Sequence, residues 1–192
     1  GFERSFHIES HPPFEFERYP MDQLLKELLL IVGVAAVITL VAYPLMRRSS
    51  ASGAANANRL LSGLLGAFLL LGGVAKFFLP FTDMFAQQIA LSRLPFPALS
   101  AFAGQAGEIT AGIILLGFFI GWQRLQGPIS DLVFALTTLL VVIIMLVAVY
   151  VHLHPDVPAE VLPFQSKPPV LTVIVMALAI LNGWLRRKTR LS

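Results

Sequence analysis

GQAGEITAGIILLG, residues 104–117, is the stretch whose reading decides the fold. It is apolar and small except for Gln105, Glu108 and Thr110. It sits inside a longer run, Ala98–Gly121, and a bilayer crossing needs about 20 predominantly apolar residues. Composition points the same way. Of 192 residues, 56% are hydrophobic and only 13% charged, and mean hydropathy is +0.77. A soluble domain carries about 25% charged residues. The chain therefore reads as an integral membrane protein, and the question becomes why a carboxylate lies within one of its spans.

Five spans are expected: Leu24–Met46, Leu60–Leu79, Ala98–Gly121, Ile129–Val151 and Val170–Leu185. Lys26 and Glu27 open the first span, within reach of the interface, and Pro128 suits the first turn of the fourth. SSASGAANAN and QRLQGP read as short connectors, Phe81–Pro97 and His152–Pro169 as longer ones. The expected divisions are a tail (1–22), an additional transmembrane helix (23–47), a cytoplasmic linker (48–58), a four-helix membrane bundle (59–185) and a basic C-terminus (186–192). No internal repeat is visible. No basic or apolar leader precedes the first span, so a signal peptide is not expected.

Charge sets the orientation. Arg47, Arg48, Arg59, Arg124, Arg186, Arg187, Lys188 and Arg190 collect on one side. Arg4, Arg18, Lys26, Arg93 and Lys167 are spread over much longer segments on the other. The positive-inside rule puts the first group, and the C-terminus, in the cytoplasm. The N-terminus is then outside, as in a bacterial inner membrane. Except for Asp131, the acids outside the spans fall on the outer side, and Asp131 sits in the first turn of its helix, where negative charge is favoured. The net charge of +3 and pI near 9.6 thus report topology rather than nucleic-acid binding. The absence of cysteine excludes disulfides, thiolate metal sites and covalent haem.

Residues 1–20, GFERSFHIESHPPFEFERYP, are charged, aromatic and proline-containing. The alternation Phe14-Glu15-Phe16-Glu17 suits an extended docking arm with one apolar edge. A solvent-facing tail, or a tag remnant ahead of Met21, are the other readings.

Gly104, Gly107, Glu108, Ala111 and Gly112 recur at helical spacings of three and four, as one stripe. Small residues let another backbone approach, so Glu108 is expected to face protein. A charge facing lipid costs at least about 3 kcal/mol. Gly72 and Gly73 stand on the same face as Lys76 in the preceding span. The two stripes predict that spans two and three pack antiparallel and pair Lys76 with Glu108. On depth alone Lys76 lies about 5 Å and Glu108 about 15 Å from the outer helix ends. Direct pairing then requires tilt or a bridging water. Glu108 has three readings: a structural clasp, a ligand site in which Gln105 and Glu108, with Lys76, hold a quinone headgroup or a small polar substrate, or a proton relay. Asp83, His152 and His154 form a candidate polar cluster on the outer face. Interfacial histidines are the plain reading, and a surface metal site the sharper one. With His7 and His11 the only other histidines, a bis-histidine haem is rejected. Phe77, Phe78, Phe81, Phe85, Phe96 and Phe102 read as an aromatic belt or as the lining of a quinone entrance, and Trp122 and Trp184 as inner belt residues.

RLLSGLLGAFLLLGGVAKFF (59–78) and LSAFAGQAGEITAGIILLGFF (99–119) resemble the DoxX/DoxD family of small membrane proteins. The shared pattern is Arg59-Leu60, Gly73 with Lys76, and Gly107-Glu108 with Gly112. YVHLHPDVP is similar too. The resemblance spans about residues 59–185 and implies a four-helix bundle, with the first span and tail as additions. Some members resemble the quinone-linked subunit of thiosulfate:quinone oxidoreductase. No P-loop, dinucleotide fingerprint, nucleophile elbow or zinc-protease motif is present. Three functions stay open. The leading expectation is a non-catalytic membrane subunit of a larger redox or energy-transducing complex, its partners met by the first helix and the tail. The others are a quinone-linked oxidoreductase subunit and a small-solute or proton transporter. No covalent cofactor is expected, and quinone is the candidate ligand.

Overall fold

A computed structural model describes residues 21–47, 52–121 and 124–191. Among them the chain is helical, with no strand. The helices are α1 (Met21–Arg47), α2 (Gly53–Ala75), α3 (Phe81–Leu91), α4 (Pro97–Gly121), α5 (Pro128–Leu153) and α6 (Val170–Leu191), with two 3₁₀ turns at Ala159–Val161 and Pro163–Gln165. Four helices, α2, α4, α5 and α6, are long and apolar enough to cross a membrane. In α1 the corresponding apolar run, Ile31–Pro44, is shorter. The tail over residues 1–20, part of the linker (48–51) and Trp122 lie outside the described residues.

The four long helices enclose one core: Leu65 and Leu69 of α2, Ala111, Leu115 and Phe118 of α4, Phe134, Val141 and Met145 of α5, and Val175 and Ala179 of α6. Phe118 and Phe134 meet edge to face at 4.9 Å. The remaining faces of these helices are apolar and exposed, as lipid contact requires. α1 packs along α2, with Ile38 over Gly63 and Ala42 fully buried, and also meets the turn at Pro163–Gln165. Most of its other face is exposed.

Besides α1, which starts at Met21, and α6, which runs on to Leu191 through the expected basic C-terminus, two boundaries of α2 differ from those read in the sequence. α2 begins at Gly53, not Leu60. Ser52 caps it, its hydroxyl accepting from the Ala55 amide at 3.3 Å, and the alanines that follow are the best helix formers. Residues 53–58, expected as part of the linker, are therefore the polar opening of a helix. At the other end α2 stops at Ala75, and Lys76 is its cap. Phe77 and Phe78 donate back to Val74 and Ala75 in tight turns, and the Thr82 hydroxyl closes the Lys76 carbonyl at 3.0 Å.

The third difference is α3, which forms where a loop was expected. Met84, Phe85, Gln88, Ile89 and Ser92 recur at three-to-four spacing and point inward. The flanking Pro80 and Pro97, and the polar Asp83, Gln87 and Gln88, mask that period. Gln88 donates to the Val161 carbonyl, and the Tyr150 hydroxyl to the Ser92 carbonyl at 3.1 Å. The 154–169 connection folds down over this end, with Val157 and Leu162 fully buried. Lys167 holds it by donating to the His154 and Val157 carbonyls. At the opposite end Gly127, at φ 120°, makes the turn into α5 that a side chain would strain.

Candidate functional site

α2 and α4 are antiparallel and touch backbone to backbone. A Cβ at Gly66 would lie 2.8 Å from the Leu116 nitrogen, and one at Gly112 2.6 Å from the Leu70 nitrogen. One turn further, a Cβ at Gly73 would meet Ile109 at 2.7 Å and Glu108 Cβ at 3.2 Å. Only glycine permits this spacing, and the spacing puts Lys76 beside Glu108.

The two side chains form a direct ion pair, Lys76 Nζ to Glu108 Oε2. The pairing is direct and needs no bridging water: α2 ends at Ala75 and the cap residue reaches across to α4. The pair is 18% and 15% exposed. The Lys76 ammonium also lies 4.5 Å from the centre of the Phe85 ring, a cation–π contact supplied by α3. Gln105 Nε2 donates to the Gly73 carbonyl at 3.2 Å, one of the carbonyls left over where a helix ends. Gly72 leaves room for the carboxylate, its would-be Cβ 3.8 Å from Glu108 Oε2.

The glycines of α4 do not act as one stripe against one neighbour. Gly112 and Glu108 face α2, Gly107 faces α5, where an added Cβ would lie 2.7 Å from Ile144, and Gly104 faces α3, where one would lie 3.9 Å from Phe85. A helix inside a bundle has neighbours on several sides, and small residues serve each of them.

Asp83, His152 and His154 do not come together as a group that could hold a metal ion. Asp83 is exposed on α3. His152 is buried, with no hydrogen-bond partner on Nδ1. His154 accepts the Asp156 amide at 3.3 Å and meets Tyr150 edge on. Of the phenylalanines, Phe85 is on the ion pair while Phe77, Phe78, Phe81, Phe96 and Phe102 are exposed.

A second polar constellation, at the opposite end of the bundle, escaped the sequence reading. Asn58, Ser62 and Asn182 are fully buried. Asn58 Nδ2 donates to the Asn182 carbonyl at 2.8 Å, and Asn182 Nδ2 to Ser62 Oγ at 3.1 Å, joining α2 to α6. Arg59 Nε donates to the Phe119 carbonyl at 2.8 Å. Arg186 binds Asp131 at 2.8 Å and the Leu125 carbonyl at 2.8 Å, packed on the rings of Phe118 and Phe134. Asp131 therefore joins α5 to α6 as well as meeting a helix N-terminus. The signal was present: Asn58 and Ser62 are one turn apart, as are Asn182 and Arg186. Arg59 and Arg186, both counted among the topology signals, are in fact buried.

For a quinone, the chemistry required is donors to its carbonyl oxygens beside an apolar wall. Lys76 and Gln105 are such donors and the exposed phenylalanines such a wall. Both donors already have partners within the chain, so a headgroup would have to displace Glu108 or the Gly73 carbonyl. In comparisons with family models, curated proteins and solved structures, this chain matches none.

Proposed function

We propose that this chain is a non-catalytic structural subunit of a larger membrane assembly of redox or energy-transducing kind. The observation that carries the reading is the closure of the polar site. Lys76 and Glu108 neutralise each other, Phe85 covers the ammonium, and Gln105 caps Gly73. The result is a clasp between α2 and α4. Arg59 and Arg186 are likewise held by groups on other helices or on the turn before α5. On this reading α2 and α4–α6 form a DoxX-like bundle over residues 59–185. α1 is a fifth crossing added at its edge, and the exposed face of α1 and the 1–20 tail meet neighbouring subunits. Orientation follows the basic residues, with the C-terminus in the cytoplasm of a bacterial inner membrane. The test is native separation after gentle solubilisation. The chain should co-migrate with a large assembly and cross-link to it through α1. Migration as a lone chain or small homo-oligomer would overturn the reading.

A second reading, a quinone-linked subunit, is favoured by one observation. The Lys76–Glu108 pair keeps some exposure and adjoins the exposed Phe77 and Phe78. Lys76 and Gln105 would then hold the headgroup. Quinone binding unchanged in both Lys76→Ala and Glu108→Gln removes this reading.

A further inference from the structure

We infer that the turn after α2, with the start of α4, is a lipid-embedded surface: this end of α2 stops within the acyl region and not at the water boundary. Phe77, Phe78 and Leu79 on the turn are 64%, 63% and 73% exposed, and Leu99 and Phe102 on α4 are similarly open. The antiparallel register that sets Gly73 on Ile109 brings Phe102 level with the Phe78–Leu79 turn.

Three further observations choose acyl chains as the occupant. The first is side-chain chemistry. Interfacial belts use Trp and Tyr, whose polar tips meet water while the ring stays dry. From Lys76 to Ala103 there is neither. Every large ring there is a phenylalanine, which has no group to offer a headgroup or water. The second is Lys76. A lysine at a helix end beside water extends its ammonium outward. Here it turns inward onto Glu108 and the Phe85 ring, the disposition expected where the outward direction holds no water.

The third is continuity: the patch runs on from the outer faces of α2 and α4, which as membrane spans already meet lipid. α3, with Thr82, Asp83 and Gln87 exposed, then lies at the boundary, above the ion pair.

The chain has no cysteine, so single cysteines can be labelled cleanly. Nitroxides at Phe78→Cys, Leu79→Cys and Phe102→Cys would be compared in liposomes with Asp83→Cys and with Leu139→Cys on the outer face of α5. Collision with lipid-partitioned oxygen and with a water-soluble nickel chelate is the readout. The expected result is loss of nickel access at 78, 79 and 102, with oxygen access like that at 139, while 83 stays open to nickel. Nickel access at 78 and 79 equal to that at 83 would overturn the inference in favour of an aqueous face. Access to neither reagent, in native membranes, would overturn it in favour of a protein partner. A second measurement is alkylation of the same cysteines, unlabelled, by a polar maleimide in permeabilised membranes. Reaction at 83 but not at 79 is expected, and equal reaction refutes the proposal.

Discussion

Gly112→Ala tests the crossing on which the candidate site depends. A Cβ at residue 112 would sit 2.6 Å from the Leu70 nitrogen, 2.8 Å from Leu70 Cβ and 2.9 Å from the Gly66 oxygen. Ordinary contact begins at 3.4 Å, so α2 and α4 must part by about 0.8 Å at this point. Overpacking a core costs about 1–3 kcal/mol. Two of the three obstacles are backbone atoms that cannot rotate away, which puts this site at the top of that range. Exchanging glycine for alanine in a helix returns about 1 kcal/mol. The expected net loss is about 2 kcal/mol, roughly a 30-fold fall in the folded-to-unfolded ratio. Gly117→Ala is the control, because nothing lies within 4 Å of a Cβ there. It should be neutral or gain up to about 1 kcal/mol. Reversible unfolding in mixed micelles, followed by circular dichroism, compares the two. If the variants agree to within about 0.5 kcal/mol, the helices are not in backbone contact and the reasoning fails.

Three other outcomes follow from the polar contacts. Lys76→Met and Glu108→Gln should each destabilise by about 1–3 kcal/mol, between the values for exposed and buried pairs. The double variant should lose less than the sum in a double-mutant cycle, and simple additivity would show the pair to be energetically silent. Arg186→Met should cost more, about 2–4 kcal/mol, because it removes a nearly buried guanidinium that binds both Asp131 and the Leu125 carbonyl. The same unfolding assay reads this, and a loss below that for Lys76→Met would count against it. Asn182→Leu should cost about 1–2 kcal/mol by removing the side-chain bonds to Asn58 and Ser62, while the Asn58 amide keeps the residue 182 carbonyl and the Ser62 hydroxyl keeps the Asn58 carbonyl. A neutral result would mean that the Asn182 side chain adds nothing to the α2–α6 contact.

The crossing helices were legible because a bilayer imposes one length and one polarity on whatever spans it. Both can be counted along a chain without knowing any contact. The Lys76–Glu108 pair was legible for a related reason: two opposite charges in adjacent apolar spans, each beside glycines, have few other places to go. Element ends were less legible. Ser52 turns a small polar stretch into the first turns of α2, and the inward period of α3 is short and set between prolines. Partners across the bundle could not be read at all. Glycines at three-to-four spacing on α4 announce close approach, but which neighbour each admits depends on where α2, α3 and α5 stand around it. Arg59 and Arg186 look like topology charges in sequence, yet they are buried against the Phe119 carbonyl and Asp131. The sequence by itself determined that this chain lives in a membrane, where most of its crossings run and that two opposite charges sit within them. The tertiary structure alone decided that the charges meet directly and that a second buried polar set ties α2, α5 and α6 together. The physical reason is that hydrophobic length is a property of one segment, whereas a hydrogen-bond partner or a close approach is a property of two, and their register appears only in the packed bundle.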